Sequence, residues 1–294
     1  MQTKQQIQQL LAAESLNPNK RHGQHFLIDL NLMRMLAGAA GINKSDVVLE
    51  VGCGTGSLTE ELSNWAGAVI AAEIDGKLAS IAQKQTADAG NVRIISEDIL
   101  ENKNAINGTV IDALRAARKE LPGRILLVAN LPYSVSTSVM LNLITGPVMA
   151  DGMYVTVQKE VAERMTAGPG SDEYGTISII LGATGEAKTI RTLKPTVFWP
   201  QPQVDSAMIS FIISKDKLAR IHSIEMLSDV VDLFMGHRRK MLKACARFAA
   251  GRLSEIRNWG EIFSDCFIDP HLRPEQLSPD EYVSMANICF EELK

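Results

Sequence analysis

Apolar residues gather in short runs that recur along the first two-thirds of the chain. The runs are "DVVLEVG" (46–52), "GAVIAAEI" (67–74), "VRIISED" (92–98), "RILLVANL" (124–131), "MYVTVQ" (153–158), "EAKTIRTL" (186–193) and "AMISFIIS" (207–214). Each has the length of a strand, and most are rich in β-branched residues. Between the first four, apolar residues recur three and four apart and predict helices over Leu58–Trp65, Lys77–Asp88 and Ile111–Leu121. Alternation of this kind predicts βαβ units and a mostly parallel, seven-stranded α/β sheet. The last two runs are joined by "KPTVFWPQPQVDS", which has no helical pattern, so an antiparallel pair at one edge is expected. Ahead of the sheet, residues 5–16 read as a short amphipathic helix carrying Ile7, Leu10 and Leu11, stopped by Asn17-Pro18.

After Ser214 the pattern changes. From Lys215 to Lys294 no strand is evident, and within Val231–Ala250 the residues Met235, Leu242, Cys245 and Ala249 fall on one helical face. Two domains are expected: residues 1–214 around the sheet, and a small all-α domain over residues 215–294.

Composition adds bounds. The chain has 294 residues, enough for a large core, and its 46% hydrophobic and 22% charged content is ordinary for a globular protein. Cys53, Cys245, Cys266 and Cys289 are too scattered for a zinc site or a disulfide framework, so no metal is expected. The polar, Gln-rich first twenty residues hold no apolar signal core, and no apolar stretch is long enough for a bilayer. No membrane partner and a cytoplasmic setting are expected. The net charge of −4 gives no global sign of nucleic-acid binding, so the distribution of charge matters more.

That distribution is uneven. Gly236–Arg252 contains Arg238, Arg239, Lys240, Lys243, Arg247 and Arg252 and no acid. Arg239, Lys243 and Arg247 repeat every four residues, which predicts a basic helix face suited to phosphates. Lys20, Arg21 and Lys159 are further cations whose place the sequence does not fix.

Candidate chemistry sits where the strands end. "LEVGCGTGSLT" follows the first run, and Gly52, Gly54 and Gly56 allow a tight turn close to a ligand. The spacing departs from the dehydrogenase fingerprint, since position 57 is Ser57. Glu50 makes the local field negative, which opposes a pyrophosphate and suits a cation. Glu73 ends the second run, where an acid can accept both ribose hydroxyls. Asp98 ends the third, where a carboxylate can accept from an adenine amino group. A nucleoside carrying a positive group and no phosphate describes S-adenosylmethionine.

The fourth run stops at Asn130-Leu131-Pro132-Tyr133. Pro132 cannot continue a central strand, so the chain leaves the sheet presenting an amide and a ring. Here the sequence closely resembles the small-subunit ribosomal RNA adenine dimethyltransferases. The resemblance runs from about Lys20 to the C-terminus. Its pieces are "KRHGQHFLID" (20–29), "EVGCGTGSLT" (50–59), "EID" (73–75), "EDIL" (97–100), "NLPYSVST" (130–137), "VQKEVAERM" (157–165), "YGTIS" (174–178), "FWPQPQVDSA" (198–207) and "HRRK" (237–240).

The resemblance implies a Rossmann-like class I methyltransferase sheet with a small helical domain that recognises RNA. It implies transfer of methyl groups from S-adenosylmethionine to two adjacent adenosines near the RNA's 3′ end, within an immature ribosomal subunit. It implies cofactor contacts from His25, Leu27, Gly52, Gly54, Glu73, Asp98 and Asn130. His25 stands where the family often has Asn, and Cys53 where it often has Pro. By the same resemblance, the Asn130 side chain and the Leu131 carbonyl accept from the target amine, Pro132 fixes the turn, and Tyr133 stacks on the base. Phe198 is either a second stacking ring or an anchor for its proline-rich loop. Two alternatives stay open: large-subunit resistance methyltransferases share the Asn-Leu-Pro-Tyr pattern, and a non-catalytic assembly or transcription factor could reuse the fold.

Overall fold

The computed structural model describes residues 1–18 and 24–294. The seven apolar runs form one sheet: β1 (Val47–Val51), β2 (Ala68–Ala72), β3 (Val92–Ile95), β4 (Ile125–Asn130), β5 (Gly152–Gln158), β6 (Gly185–Leu193) and β7 (Ser206–Ile213). Their order is β3-β2-β1-β4-β5-β7-β6. The pairs β1–β2, β2–β3, β1–β4 and β4–β5 are parallel, and β7 runs antiparallel to β5. The central strands β1 and β4 carry unbroken apolar stretches because neighbours and helices cover both of their faces. The chain crosses from one half of the sheet to the other between β1 and β4, which puts the natural ligand crevice at their C-terminal ends.

The helices fall into two compact units. One holds residues 1–162 and 188–212 and the other residues 163–187 and 213–294. In the first, α1 (Lys4–Ala13) starts with a Thr3–Gln6 capping box. It packs Ile7 and Leu11 on Leu78 and Ile81 of α4 (Gly76–Gln85). α2 (Leu30–Ala39) and α3 (Ser57–Trp65) bury Leu32, Leu36, Leu58 and Leu62 in the main cluster. α5 (Gly108–Glu120) and α6 (Ser136–Thr145) complete the crossovers. Phe26–Leu27 pair with Phe198–Trp199 in a separate two-stranded piece.

The second unit corrects the single division expected at 214/215. After α7 (Lys159–Thr166), which straddles the two units, α8 (Thr176–Thr184) packs with the C-terminal helices. α8 is apolar on nearly every side, so it needs burial all round. Gly182 lets it approach closely, since a Cβ there would come within 2.7 Å of Pro279 Cγ. Lys217, in α9 (Lys215–Leu218), donates to the Gly182 and Gly185 carbonyls at 2.7 and 2.8 Å and so caps the end of α8. α10 (Ile224–Met235) and α13 (Pro279–Glu292) complete the three-helix core, with α11 (Leu242–Cys245) and α12 (Trp259–Asp265) beside it.

The expected basic helix over 236–252 is not continuous. α10 ends at Met235, residues 236–240 turn, and Met241 is extended. The chain then restarts as the four-residue α11 and two 3₁₀ turns. The restart is anchored from outside, as the Leu242 and Lys243 amides donate to the Leu272 and Pro270 carbonyls. Among the described residues, no helix is long and apolar enough to cross a membrane.

Candidate functional site

A cavity of about 240 Å³ opens at the C-terminal ends of β1 to β4, lined wholly by the sheet-bearing unit. Its floor is the turn after β1. Gly52, Gly54 and Gly56 have φ of 73°, 58° and 82°, a region L-residues rarely adopt. Two of them also lack room for a side chain, because a Cβ would lie 3.0 Å from Pro132 at Gly52 and 2.9 Å from the Phe26 ring at Gly54.

Glu73 follows β2 and is almost fully buried. Its two oxygens accept from the Gly54 amide at 2.8 Å and the Asp75 amide at 3.0 Å. The carboxylate therefore braces the glycine turn, and each oxygen keeps lone-pair capacity for a ligand hydroxyl. Burial raises its pKa, against the opposing effect of those amides. Asp98 is exposed at the rim and accepts from the Leu100 amide at 3.0 Å.

Glu50 sits at the base, fully buried, with no hydrogen-bond partner for Oε2. Burial, with the Glu73 charge adding to it, pushes its pKa up to about 8. Two buried carboxyls at the closed end of a cavity make a site for a cationic ligand, which would satisfy the orphaned oxygen. Cys53 lines the same wall, its thiol held well above the ordinary range by burial and then by Glu50 and Glu73.

Asn130 ends β4 opposite Thr156 of β5 in the parallel register. The Thr156 hydroxyl donates to Asn130 Oδ1, and Asn130 Nδ2 donates to the His25 carbonyl at 2.8 Å. The amide is thus held from both ends, with one lone pair of Oδ1 to spare. The Leu131 amide donates to the Thr156 carbonyl at 3.2 Å. Tyr133 bonds Ser206 Oγ through its hydroxyl at 2.6 Å, and its ring lies 5.7 Å from that of His25. His25 Nδ1 in turn meets the Pro200 carbonyl at 2.7 Å. Burial raises the Tyr133 phenol, so it stays neutral as a stacking surface.

His25, Leu27, Gly52, Gly54, Glu73, Asp98, Asn130, Leu131, Pro132 and Tyr133 all line this one cavity. Phe198 does not. It is 1% exposed and packs with Leu27, Met33 and Met208 in the core, so it anchors its loop and cannot stack on a base. Sequence reasoning missed Thr156 and Ser206, whose roles follow from strand register. It read α1 as a helix but not as part of the site: α1 places Ile7 on the cavity, and Gln2, just ahead of it, donates from Nε2 to the Thr55 carbonyl of the glycine turn at 3.0 Å.

In the helical unit, Arg239, Lys240, Lys243 and Arg247 are exposed. Arg238 is not available in the same way: it donates to the Asp172 and Ser171 carbonyls at 2.8 and 3.0 Å and faces Glu275 at 3.9 Å. Its guanidinium is committed to holding the unit together. Lys20 and Arg21 lie outside the described residues.

The sheet order, the glycine turn after β1 and the strand-end acids define a class I, S-adenosylmethionine-dependent methyltransferase. The model of the ribosomal RNA adenine dimethylase family matches residues 15–289, and the chain belongs to that family. It is 35% identical over 271 residues to a ribosomal RNA small subunit methyltransferase A of Geobacillus sp. (strain WCH70), covering 91% of this chain and 90% of that one. It is 34% identical over 286 residues to the protein of that name in Shouchella clausii, covering 97% and 94%. Among solved structures, a dimethyladenosine transferase from Plasmodium falciparum superposes with a TM-score of 0.71 at 21% identity, covering 92% and 98%. The 23S rRNA methyltransferase ErmE superposes with a TM-score of 0.60 at 20% identity, covering 89% and 98%, and shows the shared fold. S-adenosylmethionine fits the cavity's lining: a glycine floor for close approach, Glu73 to accept from hydroxyls, and the buried, unsatisfied Glu50 to face positive charge.

Proposed function

We propose that the chain dimethylates N6 of two adjacent adenosines near the 3′ end of small-subunit ribosomal RNA, acting on an immature subunit in the cytoplasm. S-adenosylmethionine, when bound, supplies an electrophilic methyl group on a sulfonium. Glu73 and Asp98 hold the nucleoside, while Gly52, Gly54, His25 and Leu27 shape the pocket around it.

The observation that carries the reading is the Asn130 clamp. The adenine amine is a poor nucleophile because its lone pair is delocalised into the ring. Accepting its N–H bonds at Asn130 Oδ1 and the Leu131 carbonyl favours a pyramidal nitrogen, and these acceptors count most as positive charge develops there. Thr156 and the His25 carbonyl prevent the amide from turning its NH₂ toward the substrate. Tyr133, steadied by Ser206, offers a face to an adenine extruded from its helix or loop. No strong base is needed, since the amine proton can leave to solvent after transfer. Arg239, Lys240, Lys243 and Arg247 supply phosphate contacts, Arg238 acting as their support.

The family match and the relatives' names support small-subunit RNA, and no observation favours the large-subunit or the non-catalytic alternative. The test is transfer of labelled methyl groups to small subunits that lack the modification, with the modified nucleotides mapped. Two adjacent dimethyladenosines near the 3′ end are expected from the native chain and loss of most transfer from Asn130→Ala. Label on large-subunit RNA, or no label on either, rejects the reading.

A further inference from the structure

The helical unit displays an aromatic pair that its own packing does not explain. Phe248 ends the 3₁₀ turn Ala246–Phe248. Leu242, Cys245 and Ala246 of this segment turn inward and are buried, yet Phe248 remains 47% exposed. The His237 ring lies against it, with centroids 4.0 Å apart and planes at 28°. The Lys240 ammonium sits 5.5 Å from the Phe248 centroid. Arg239, Lys243 and Arg247 are exposed in the same short stretch. Asp229 pairs with Arg252, and Asp269, which meets the His271 ring, also feels the Lys243 charge.

We propose that the Phe248–His237 pair is a stacking platform for an unpaired base of the bound RNA, separate from the methylation cavity. A ring backed on one side by an imidazole is rigid and already ordered, so it loses little freedom on binding a second flat ring. Every nucleobase has a π face, and each base sits between phosphates that flanking cations attract. An exposed aromatic with Lys240 over its ring and further exposed cations in the same segment therefore fits single-stranded RNA better than an apolar protein surface, which would offer those cations no phosphates. The phosphate contacts give salt dependence, and the platform gives a preference for a strand that carries bases.

The inference rests on the reading of this segment as an RNA surface, and the experiment separates the two. The full chain is titrated into a short labelled oligoadenylate and into an abasic ribose-phosphate strand of equal length, at several salt concentrations. Phe248→Ala should bind the base-bearing strand roughly tenfold more weakly, bind the abasic strand as wild type does, and keep the wild-type salt slope. Phe248→Trp should restore binding and Phe248→Leu should not. Arg239→Glu, Lys243→Glu and Arg247→Glu together should weaken both strands and flatten the salt dependence. If that triple variant weakens both strands while Phe248→Ala weakens neither, the platform falls and the basic surface stands. If the triple variant changes nothing, the RNA surface itself is misassigned. Equal weakening of both strands by Phe248→Ala, or weaker binding of ribosomal subunits with neither strand affected, overturns the platform in favour of a structural or protein contact.

Discussion

Replacing Glu50 by Gln should change how the free protein's stability depends on pH. The Glu50 carboxyl is buried with an unpartnered oxygen, and its pKa stands at about 8 against an ordinary 4.5. The folded state therefore keeps a proton that the unfolded chain releases. Stability from this group is fully present below the ordinary value and is lost as pH rises through about 8. Each tenfold in proton affinity is worth about 1.4 kcal/mol, so the displacement sets a ceiling of about 5 kcal/mol, reduced by whatever water enters the cavity. Glutamine imitates the neutral acid and cannot ionise. Urea unfolding at intervals from pH 5 to 8.5 should show wild type losing stability relative to Glu50→Gln by several kcal/mol. Glu73, also raised by burial, remains in both proteins and cancels in the comparison; Cys53 stays protonated throughout. A cationic cofactor selects the ionised carboxylate, so wild-type affinity for S-adenosylmethionine should rise from pH 6 to 8 and that of the variant should not. A stability difference that stays constant across this range would refute the assignment of Glu50 as a proton-holding acid.

Asp98→Asn should weaken S-adenosylmethionine binding roughly tenfold by calorimetry, without loss of stability, because the side chain is exposed and holds only the Leu100 amide; unchanged affinity removes it from the site. Glu73→Gln should lower affinity further, and it should also loosen the glycine turn that the carboxylate braces, visible as faster amide exchange at Gly54. Thr156→Val keeps shape and deletes the hydroxyl bonded to Asn130, so single-turnover methyl transfer should fall roughly tenfold while cofactor affinity stays within about twofold. Phe267 has a φ of 57° and is 96% exposed. Glycine there relieves roughly 1–2 kcal/mol of backbone strain and gives back roughly 0.5–1 in chain entropy, so Phe267→Gly should raise the melting temperature by a few degrees.

The parts of the fold legible in sequence are those fixed by local composition. β1 and β4 carry the apolar stretches Val47–Leu49 and Ile125–Ala129 because a central parallel strand is covered on both faces, and polar residues enter only near their C-terminal ends, at Glu50 and Asn130. The turn at Gly52–Gly56 shows itself because positive φ and close approach leave few other residues possible. What was illegible depends on non-local pairing. Thr156 looks like any strand threonine until register sets it beside Asn130, and Ser206 until β7 brings it to Tyr133. The apolar run of α8 does not announce that it packs with helices 40 residues and more further on. The basic segment shows the opposite error: Arg239, Lys243 and Arg247 keep a four-residue period, but Met241 is extended because the 270–272 loop captures the next two amides. Periodicity reports what a segment could do alone, and a competing tertiary hydrogen bond decides what it does. The same break keeps the cations off a single helix face and leaves Lys240 over the Phe248 ring. The misread helix and the unpredicted aromatic platform thus have one physical origin.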